Sequence, residues 1–245
     1  MAAPLAHRIS AFLLATSFVV GGAPATATDA PGGLSVAPVQ LSLADARRSV
    51  STTVTNPGAD PITVQVRLYS WKMQGEEEVY EPAVDVGFSP PLFRLQGHAA
   101  QAVRVVAKTP PGAVERSYRL IIDQLPLADA PGQLQLPVRM VLPVFIEPAM
   151  GVGHPPQLQW SARHEASSGR VVVAVSNHGT VHARIVNLSA DDGHGATPIA
   201  PGLSGYALAG QSRSWSYRAQ AVPDKLTITA ESGTTPIRVT IPVAR

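Results

Sequence analysis

The feature that most constrains this chain is a long apolar strand segment that also contains prolines, Gly132 to Pro148. Its even-numbered positions from Leu134 to Val144 are all apolar, which is the period-two pattern of a strand with one buried face. Pro137 and Pro143 both lie at odd-numbered positions. Since proline has no N–H, both missing hydrogen-bond donors are expected on the same edge of the strand.

An apolar strand with a partly open edge has two interpretations. It can be an ordinary edge strand whose apolar face belongs to the core of its own domain. It can also be a strand that pairs with another chain by β-augmentation. Most proteins shield such edges because they recruit other chains. The pattern alone leaves both interpretations open.

The N-terminus has the features of a secretory signal peptide. His7 and Arg8 precede the apolar run Ile9 to Val20, and Ala25-Thr26-Ala27 fits an A-x-A cleavage site. The apolar run is too short to span a bilayer, and no later stretch is long and apolar enough to do so. We therefore expect residues 1–27 to be a cleaved signal peptide and the mature chain to lack stable membrane insertion.

Composition excludes several classes of function. Cysteine is absent, which removes disulfides, thiolate catalysis and thiolate metal sites. The formal net charge is only +2, with no basic block, so nucleic-acid binding is not expected. His178 and His182 are four residues apart but flank a turn, so we expect no metal site and no cofactor. No P-loop or G-x-S-x-G motif is present, and no constellation of residues indicates an enzyme.

Short alternating runs separated by Gly, Pro, Asn and Asp predict an all-β protein. About seven strands fall between residues 33 and 148, which we expect to form an N-terminal immunoglobulin-like domain. A similar spacing follows the linker PAMGVGHPP, and we expect residues 155–245 to form a smaller C-terminal β-sandwich. The charged run Lys72 to Glu81 is expected to be a surface excursion. Trp71, Trp160 and Trp215 are expected in cores or at a domain contact.

Several local motifs, taken together with their order, resemble the periplasmic chaperones of the chaperone–usher pilus pathway, the PapD-like superfamily. Val103-Arg104-Val105 resembles a short family strand with a central arginine. Ser117 to Pro126 resembles the sixth strand, and Val138 to Pro148 resembles the seventh. In the second half, Val181 to Arg184 and Tyr206 to Gly210 resemble the branch associated with spore-coat-U-like pilins.

This resemblance implies two immunoglobulin-like β-sandwich domains in an L-shaped arrangement, located in the periplasm. It implies a chaperone that binds pilus or fimbrial subunits of the spore-coat-U type by donor-strand complementation and delivers them to an outer-membrane usher. The donor side chains would be Leu134, Leu136, Val138 and Met140, and each fully buried one would contribute about 1.5–3 kcal/mol. The rival hypotheses are a secreted structural or adhesion module without chaperone activity, and a hydrolase without a recognisable site.

One part of the family pattern is changed in this chain. In the better-known branches, an arginine on the first strand and a lysine on the seventh hold the C-terminal carboxylate of the subunit. Gln40 and Pro143 occupy those positions here. The carboxylate anchor is therefore in question, and the candidates are Gln40, Arg104 and Arg139.

Arg104 also has a competing structural role. The resemblance implies a cluster of ion pairs between the two domains, in which Glu115 and Glu231 take the acidic positions by spacing. An arginine that already meets two carboxylates has its charge satisfied, which favours the structural role.

Overall fold

The computed structural model describes residues 33–126, 137–219 and 222–245. Every regular element in these residues is a β-strand, and the described part of the chain contains no helix that could cross a bilayer. The predicted signal peptide, residues 1–27, lies outside the described residues, as do the predicted donor residues Leu134 and Leu136.

Ten strands form the first domain as two facing sheets. They are β1 (Ser35–Ala37), β2 (Leu41–Leu43), β3 (Ser49–Thr55), β4 (Ile62–Gln74), β5 (Glu77–Pro82), β6 (Val86–Ser89), β7 (Leu92–Leu95), β8 (Ala100–Ala107), β9 (Arg116–Leu125) and β10 (Arg139–Ile146). One sheet has the order β1-β3-β8-β6. The other has the order β2-β10-β9-β4-β5, and β7 also pairs with β4.

Period-two alternation places the core of this domain between the two sheets. On β4, Val64 and Val66 are buried while the residues between them are partly exposed. On β8 of the opposite sheet, Val103 and Val105 are fully buried. Each such side chain contributes about 1.5–3 kcal/mol when fully buried, so the alternation itself stabilises the sandwich. The predicted sandwich is confirmed.

The first strand changes sheets at a proline. β1 pairs antiparallel with β3 in one sheet, whereas β2 pairs parallel with β10 in the other. Between them, the carbonyl of Pro38 accepts a hydrogen bond from Thr52 Oγ1 at 2.9 Å. A proline cannot donate to a ladder, so Pro38 accounts for the break between β1 and β2.

The charged run Lys72 to Glu81 lies mostly at the surface, as predicted, but it is a regular hairpin and not an irregular loop. This run forms the tip of a hairpin in which β4 pairs with β5 from Tyr69↔Pro82 to Gln74↔Glu77. Gly75 has a φ of +66° in the two-residue loop, which is the conformation that a tight hairpin turn requires. The three consecutive glutamates concealed the alternation that pairs Trp71 with Tyr80.

Seven strands form the second domain. They are β11 (Leu158–Glu165), β12 (Arg170–Asn177), β13 (Ala183–Asp191), β14 (Ala196–Ala207), β15 (Ser212–Tyr217), β16 (Lys225–Ser232) and β17 (Thr235–Ala244). Their order is β14-β13-β16-β17-β11-β12-β15. Valines of β12 and Trp215 form the core of this domain, and Trp160 packs against it. The described chain is therefore an all-β protein of two sandwich domains.

Candidate functional site

The strand β10 has one neighbour along its whole length and another along only part of it. It pairs antiparallel with β9 from Arg139 to Ile146. On its other edge, β2 pairs only with Val144, Phe145 and Ile146. Within the described residues, no strand pairs with the edge of β10 between Arg139 and Pro143.

Two hydrogen bonds show which backbone groups point to that open edge. Gln124 N donates to the carbonyl of Val138 at 2.9 Å, so the even-numbered residues of this strand exchange bonds with β9. Glu147 N donates to Leu43 O at 2.8 Å, so the odd-numbered residues face the β2 side. Along the open edge, the N–H groups of Arg139 and Val141 are therefore left for another strand.

Prolines delimit this pair of donors. Pro137 and Pro143 have the same parity as Arg139 and Val141, so their nitrogen atoms face the same edge and carry no hydrogen. The observed register agrees with the expectation that both missing donors lie on one edge. The open edge thus has two N–H donors between two positions that cannot donate.

The even-numbered side chains of β10 point into the sandwich. Leu142 and Val144 are buried in the core of the first domain. Val138 and Met140 lie nearer the end of the sandwich, where they are half-buried and pack against the same core. Two of the four predicted donor residues therefore belong to an apolar face that continues from the core of the protein to its edge.

The opposite face of β10 carries an ion triad. Arg139 Nε and Arg67 Nη2 each donate to a different oxygen of Asp123 at 2.5 Å. Asp123 is about nine-tenths buried, whereas Arg139 is 62% exposed. Burial of Asp123 opposes its ionisation, but the two arginine hydrogen bonds outweigh burial and hold the pKa of Asp123 below its ordinary value. Two cations share one anion, so the triad carries a net positive charge.

A surface cavity of about 390 Å³ lies beside this triad, and Arg67, Asp123 and Arg139 line it together with Pro137 and Val138. The cavity therefore joins the charged face of the sheet to the start of the open edge. Backbone donors, apolar side chains and an excess of positive charge meet within one short segment.

The other two candidate anchors lie elsewhere. Gln40 is exposed and directly precedes β2, and continuing the β2–β10 register places it opposite Pro143. Arg104 lies on β8 in the other sheet, where it is exposed and donates to Ser49 Oγ at 2.7 Å. Of the three candidates, Arg139 is the one on β10 itself.

Of the predicted inter-domain cluster of Arg104, Glu115 and Glu231, the structure brings only Glu115 into contact with the other domain. Arg104 contacts Ser49 within its own domain. Glu231 is exposed, and its Oε1 accepts a hydrogen bond from Asn187 at 3.4 Å. An arginine on an outward-facing position of β8 cannot reach the other domain, because the two domains meet along the outer face of the other sheet.

Glu115 does contact the second domain, but through a histidine. Its side chain is 1% exposed, and its two oxygens lie 2.8 and 2.9 Å from His182 Nδ1. The backbone N–H of His182 also donates to Glu115 at 3.1 Å. The imidazole ring stacks on Phe145 of β10, with centroids 3.7 Å apart and planes 9° apart. This contact connects the second domain to the end of the strand that carries the open edge.

An aromatic cluster completes the domain interface. Trp71 and Phe145 of the first domain are buried with Tyr206 and Leu208 of the second. The ring of Trp71 meets that of Tyr206 edge-on at a centroid distance of 5.4 Å. Arg119 lies over the indole ring of Trp71, with Cζ 3.5 Å from the ring centroid. The prediction that a tryptophan lies at a domain contact is correct for Trp71.

A charged network around Glu78 also bridges the domains. Its carboxylate accepts hydrogen bonds from Arg119 at 2.6 Å and from Tyr80 at 2.6 Å, and Arg213 of the second domain lies 3.6 Å away. Burial opposes ionisation of Glu78, but these hydrogen bonds hold its pKa below the ordinary value. Burial and the bond to Glu78 raise the pKa of Tyr80 to about 12. Burial lowers the pKa of Arg213.

Sequence reasoning missed most of this interface. The sequence analysis expects no metal site at His182 and places it in a segment that carries the family resemblance, but it assigns the side chain no contact with Glu115. Glu78 falls in the run Lys72 to Glu81, which the sequence predicts to be a surface excursion. No signal in the sequence connects these two residues to their partners, because Glu115 and His182 are 67 positions apart.

The first domain matches a known protein family. Residues 33–151 match the family described as pili and flagellar-assembly chaperone, PapD N-terminal domain. No curated protein sequence matches the chain.

Several solved structures share the fold. CsuC, from archaic chaperone–usher Csu pili of Acinetobacter baumannii, is 20% identical, with a TM-score of 0.68 over 87% of this chain and 100% of that chain. The Escherichia coli chaperone DraB is 19% identical, with a TM-score of 0.54 over 86% and 95% of the two chains. The Pseudomonas aeruginosa chaperone CupB2 is 16% identical, with a TM-score of 0.52 over 84% and 97%.

Proposed function

Because this chain belongs to the PapD-like family of pilus- and flagellar-assembly chaperones, we propose that it holds pilus subunits on the open edge of β10 and delivers them to an outer-membrane usher. Its role as a non-enzymatic chaperone follows from the family. The partner, the strand-pairing mechanism and the delivery step are the content of the proposal.

The observation that carries the proposal is the unfilled part of the β10 edge. The N–H groups of Arg139 and Val141 point away from β9 and have no strand partner within the described residues. A subunit strand added there would gain main-chain hydrogen bonds that depend little on its sequence. Such pairing suits a chaperone, because one edge can then receive subunits that differ in side chains.

The donor side chains supply the apolar part of the interaction. Val138 and Met140 are already half-buried against the core of the chaperone, so a subunit would bury only the remainder of their surface. Leu134 and Leu136 have the same parity and are expected to contribute more, about 1.5–3 kcal/mol each when fully buried. We propose that all four fill a groove in the subunit, with the two leucines making the larger contribution.

The triad on the outer face is the proposed anchor for the subunit carboxylate. Arg67 and Arg139 share Asp123, which leaves one positive charge uncompensated, and Arg139 is largely exposed on the strand that receives the subunit. A planar guanidinium binds a carboxylate through two parallel hydrogen bonds. Gln40 offers a neutral amide close to the β2 end of the edge, whereas Arg104 lies in the other sheet and is therefore the weakest candidate.

The cellular setting is also proposed. The signal-like segment 1–27 supports export, and family membership supports a periplasmic location. We propose spore-coat-U-like subunits as the partners, because Val181 to Arg184 and Tyr206 to Gly210 resemble that branch. His182 and Tyr206 of these segments lie in the domain interface.

The proposal is tested by co-expression with a subunit encoded nearby and by affinity capture. Leu136→Asp should abolish capture with little change in melting temperature, because a charge would face an apolar groove of the partner. Gln135→Asp is the matched control, since it adds the same charge at a position of the opposite parity. Equal loss of capture in both variants, or full capture by Leu136→Asp, would contradict donor-strand pairing by this face.

A further inference from the structure

The structure shows a sharp boundary where the internal partner of β10 stops. β2 occupies the edge of β10 from Val144 to Ile146 and ends there, although the chain continues before Leu41. Val39 and Gln40 are exposed and take no part in the ladder. Residues 35–37 pair with β3 and the Pro38 carbonyl is bonded to Thr52, so Val39 and Gln40 are the two residues that could extend the pairing along β10.

The register identifies the missing bond. Glu147 N donates to Leu43 O, and the parallel pattern repeats every second residue. One repeat further along, the donor would be residue 145, and one repeat beyond that, residue 143 with the carbonyl of Val39 as its acceptor. Pro143 has no N–H, so the ladder ends at this step.

We propose that Pro143 is a positioning residue that keeps the subunit-binding edge open against the protein's own N-terminal strand. This inference rests on the proposed function of the edge. If residue 143 could donate, Val39 would be drawn onto β10, and the next bonds would occupy the backbone of Val141. Val39 N would then bond to the carbonyl of Val141 and place residues of the same chain against the open edge, while Ala37, the acceptor that this register gives to Val141 N, stays paired with β3.

Pro143 also limits an incoming strand. A subunit strand bound to Arg139 and Val141 meets a position without a donor on one side and the start of β2 just beyond it. Its pairing must therefore end before residue 143, which fixes its register relative to the triad at Asp123. Pro143, at the position where the family resemblance implies a lysine, thus supplies a backbone stop.

The test uses the full chain and the variant Pro143→Ala, with Pro137→Ala as the matched control. Both variants add an N–H to the same edge of the same segment, but β2 reaches only position 143. Hydrogen exchange on the free protein should show slow exchange of the new amide at position 143 and free exchange at position 137. Capture of a co-expressed subunit should weaken roughly fivefold in Pro143→Ala, the value of about one net hydrogen bond.

Two results of the exchange and capture measurements would overturn the proposal. Free exchange of the new amide at position 143 would overturn the proposal, because β2 would then end for another reason. Slow exchange with undiminished capture would overturn the claim that the stop protects the binding edge. Exchange is measured without a subunit, so a failure of subunit binding in the parent protein would contradict the proposed function without altering the exchange result.

Discussion

The ion triad gives the most direct quantitative prediction. Asp123→Asn keeps the shape of the side chain but removes the charge that accepts from Arg67 and Arg139. The Arg67 bond is the better buried of the two, and a hydrogen bond to a charged group contributes about 1.5–3 kcal/mol. The exposed Arg139 pair contributes about 0.2–1 kcal/mol. Because asparagine retains one acceptor oxygen, we expect a loss of about 2 kcal/mol in the free energy of unfolding at pH 7.

The lowered pKa of Asp123 determines how the difference in stability between the two proteins changes with pH. The pKa of Asp123 is lowered in the folded protein, so the triad stabilises the fold at pH values above the unfolded-state pKa of about 3.9. That stabilisation is lost as the pH falls through the lower folded-state value. The difference between the parent protein and Asp123→Asn should therefore narrow as the pH is lowered from 7 to about 3.

Urea unfolding at several pH values measures the difference, and Asp45→Asn is the control, since Asp45 is exposed. The control should change the free energy of unfolding by less than about 0.5 kcal/mol. A difference for Asp123→Asn that stays constant between pH 7 and about pH 3 would refute the reasoning, because the charge of the carboxylate would then not be its source.

Three further variants test the domain interface. Gly205→Ala should destabilise the protein by more than about 2 kcal/mol in urea unfolding, because a Cβ there would lie 2.4 Å from Arg213 Cζ and φ is +136°. His182→Ala should cost about 2–4 kcal/mol in the same assay, since it leaves the buried carboxylate of Glu115 with only the backbone N–H of residue 182 as a partner. Arg104→Ala should change stability by less than about 0.5 kcal/mol, because the side chain is exposed.

Further variants show which contact causes each loss of stability. Gly210→Ala should cost less than Gly205→Ala for two reasons: its φ of +66° lies in the left-handed region, and its Cβ would meet no atom within 4 Å. His182→Phe keeps an aromatic ring against Phe145 and removes the side-chain hydrogen bonds to Glu115. A loss equal to that of His182→Ala would assign the effect to the carboxylate, and full stability would assign it to stacking. A loss of several kcal/mol for Arg104→Ala would contradict its exposed position.

The sequence predicts the strands of this fold well because most of them have one buried face. The alternation in β4 and β8, and the break at Pro38, are local properties that a reader of the sequence can see. The hairpin of β4 and β5 was missed for a local reason too. Glu76 to Glu78 look like a solvated loop, but Glu78 is held by Arg119 across the sheet.

Some features of the functional site can be predicted from the sequence and others cannot. The parity of Pro137 and Pro143 follows from the sequence, and so does the open edge that they delimit. The triad does not, because Arg67 and Asp123 are 56 positions apart and meet only through the pairing of β4 with β9. The family resemblance places Arg104 at the domain interface. In the structure, Arg104 lies on β8, and the contact with the second domain is made by the other sheet.

The central claim is that a strand of the subunit pairs with the open edge of β10, and amide hydrogen exchange tests this pairing most directly. The account predicts that the amides of Arg139 and Val141 exchange freely in the protein alone and slow by at least about tenfold when a subunit is bound. The amides of Met140 and Leu142 face β9 and should change little. A subunit that binds while the amides of Arg139 and Val141 continue to exchange at their free rates would contradict the account.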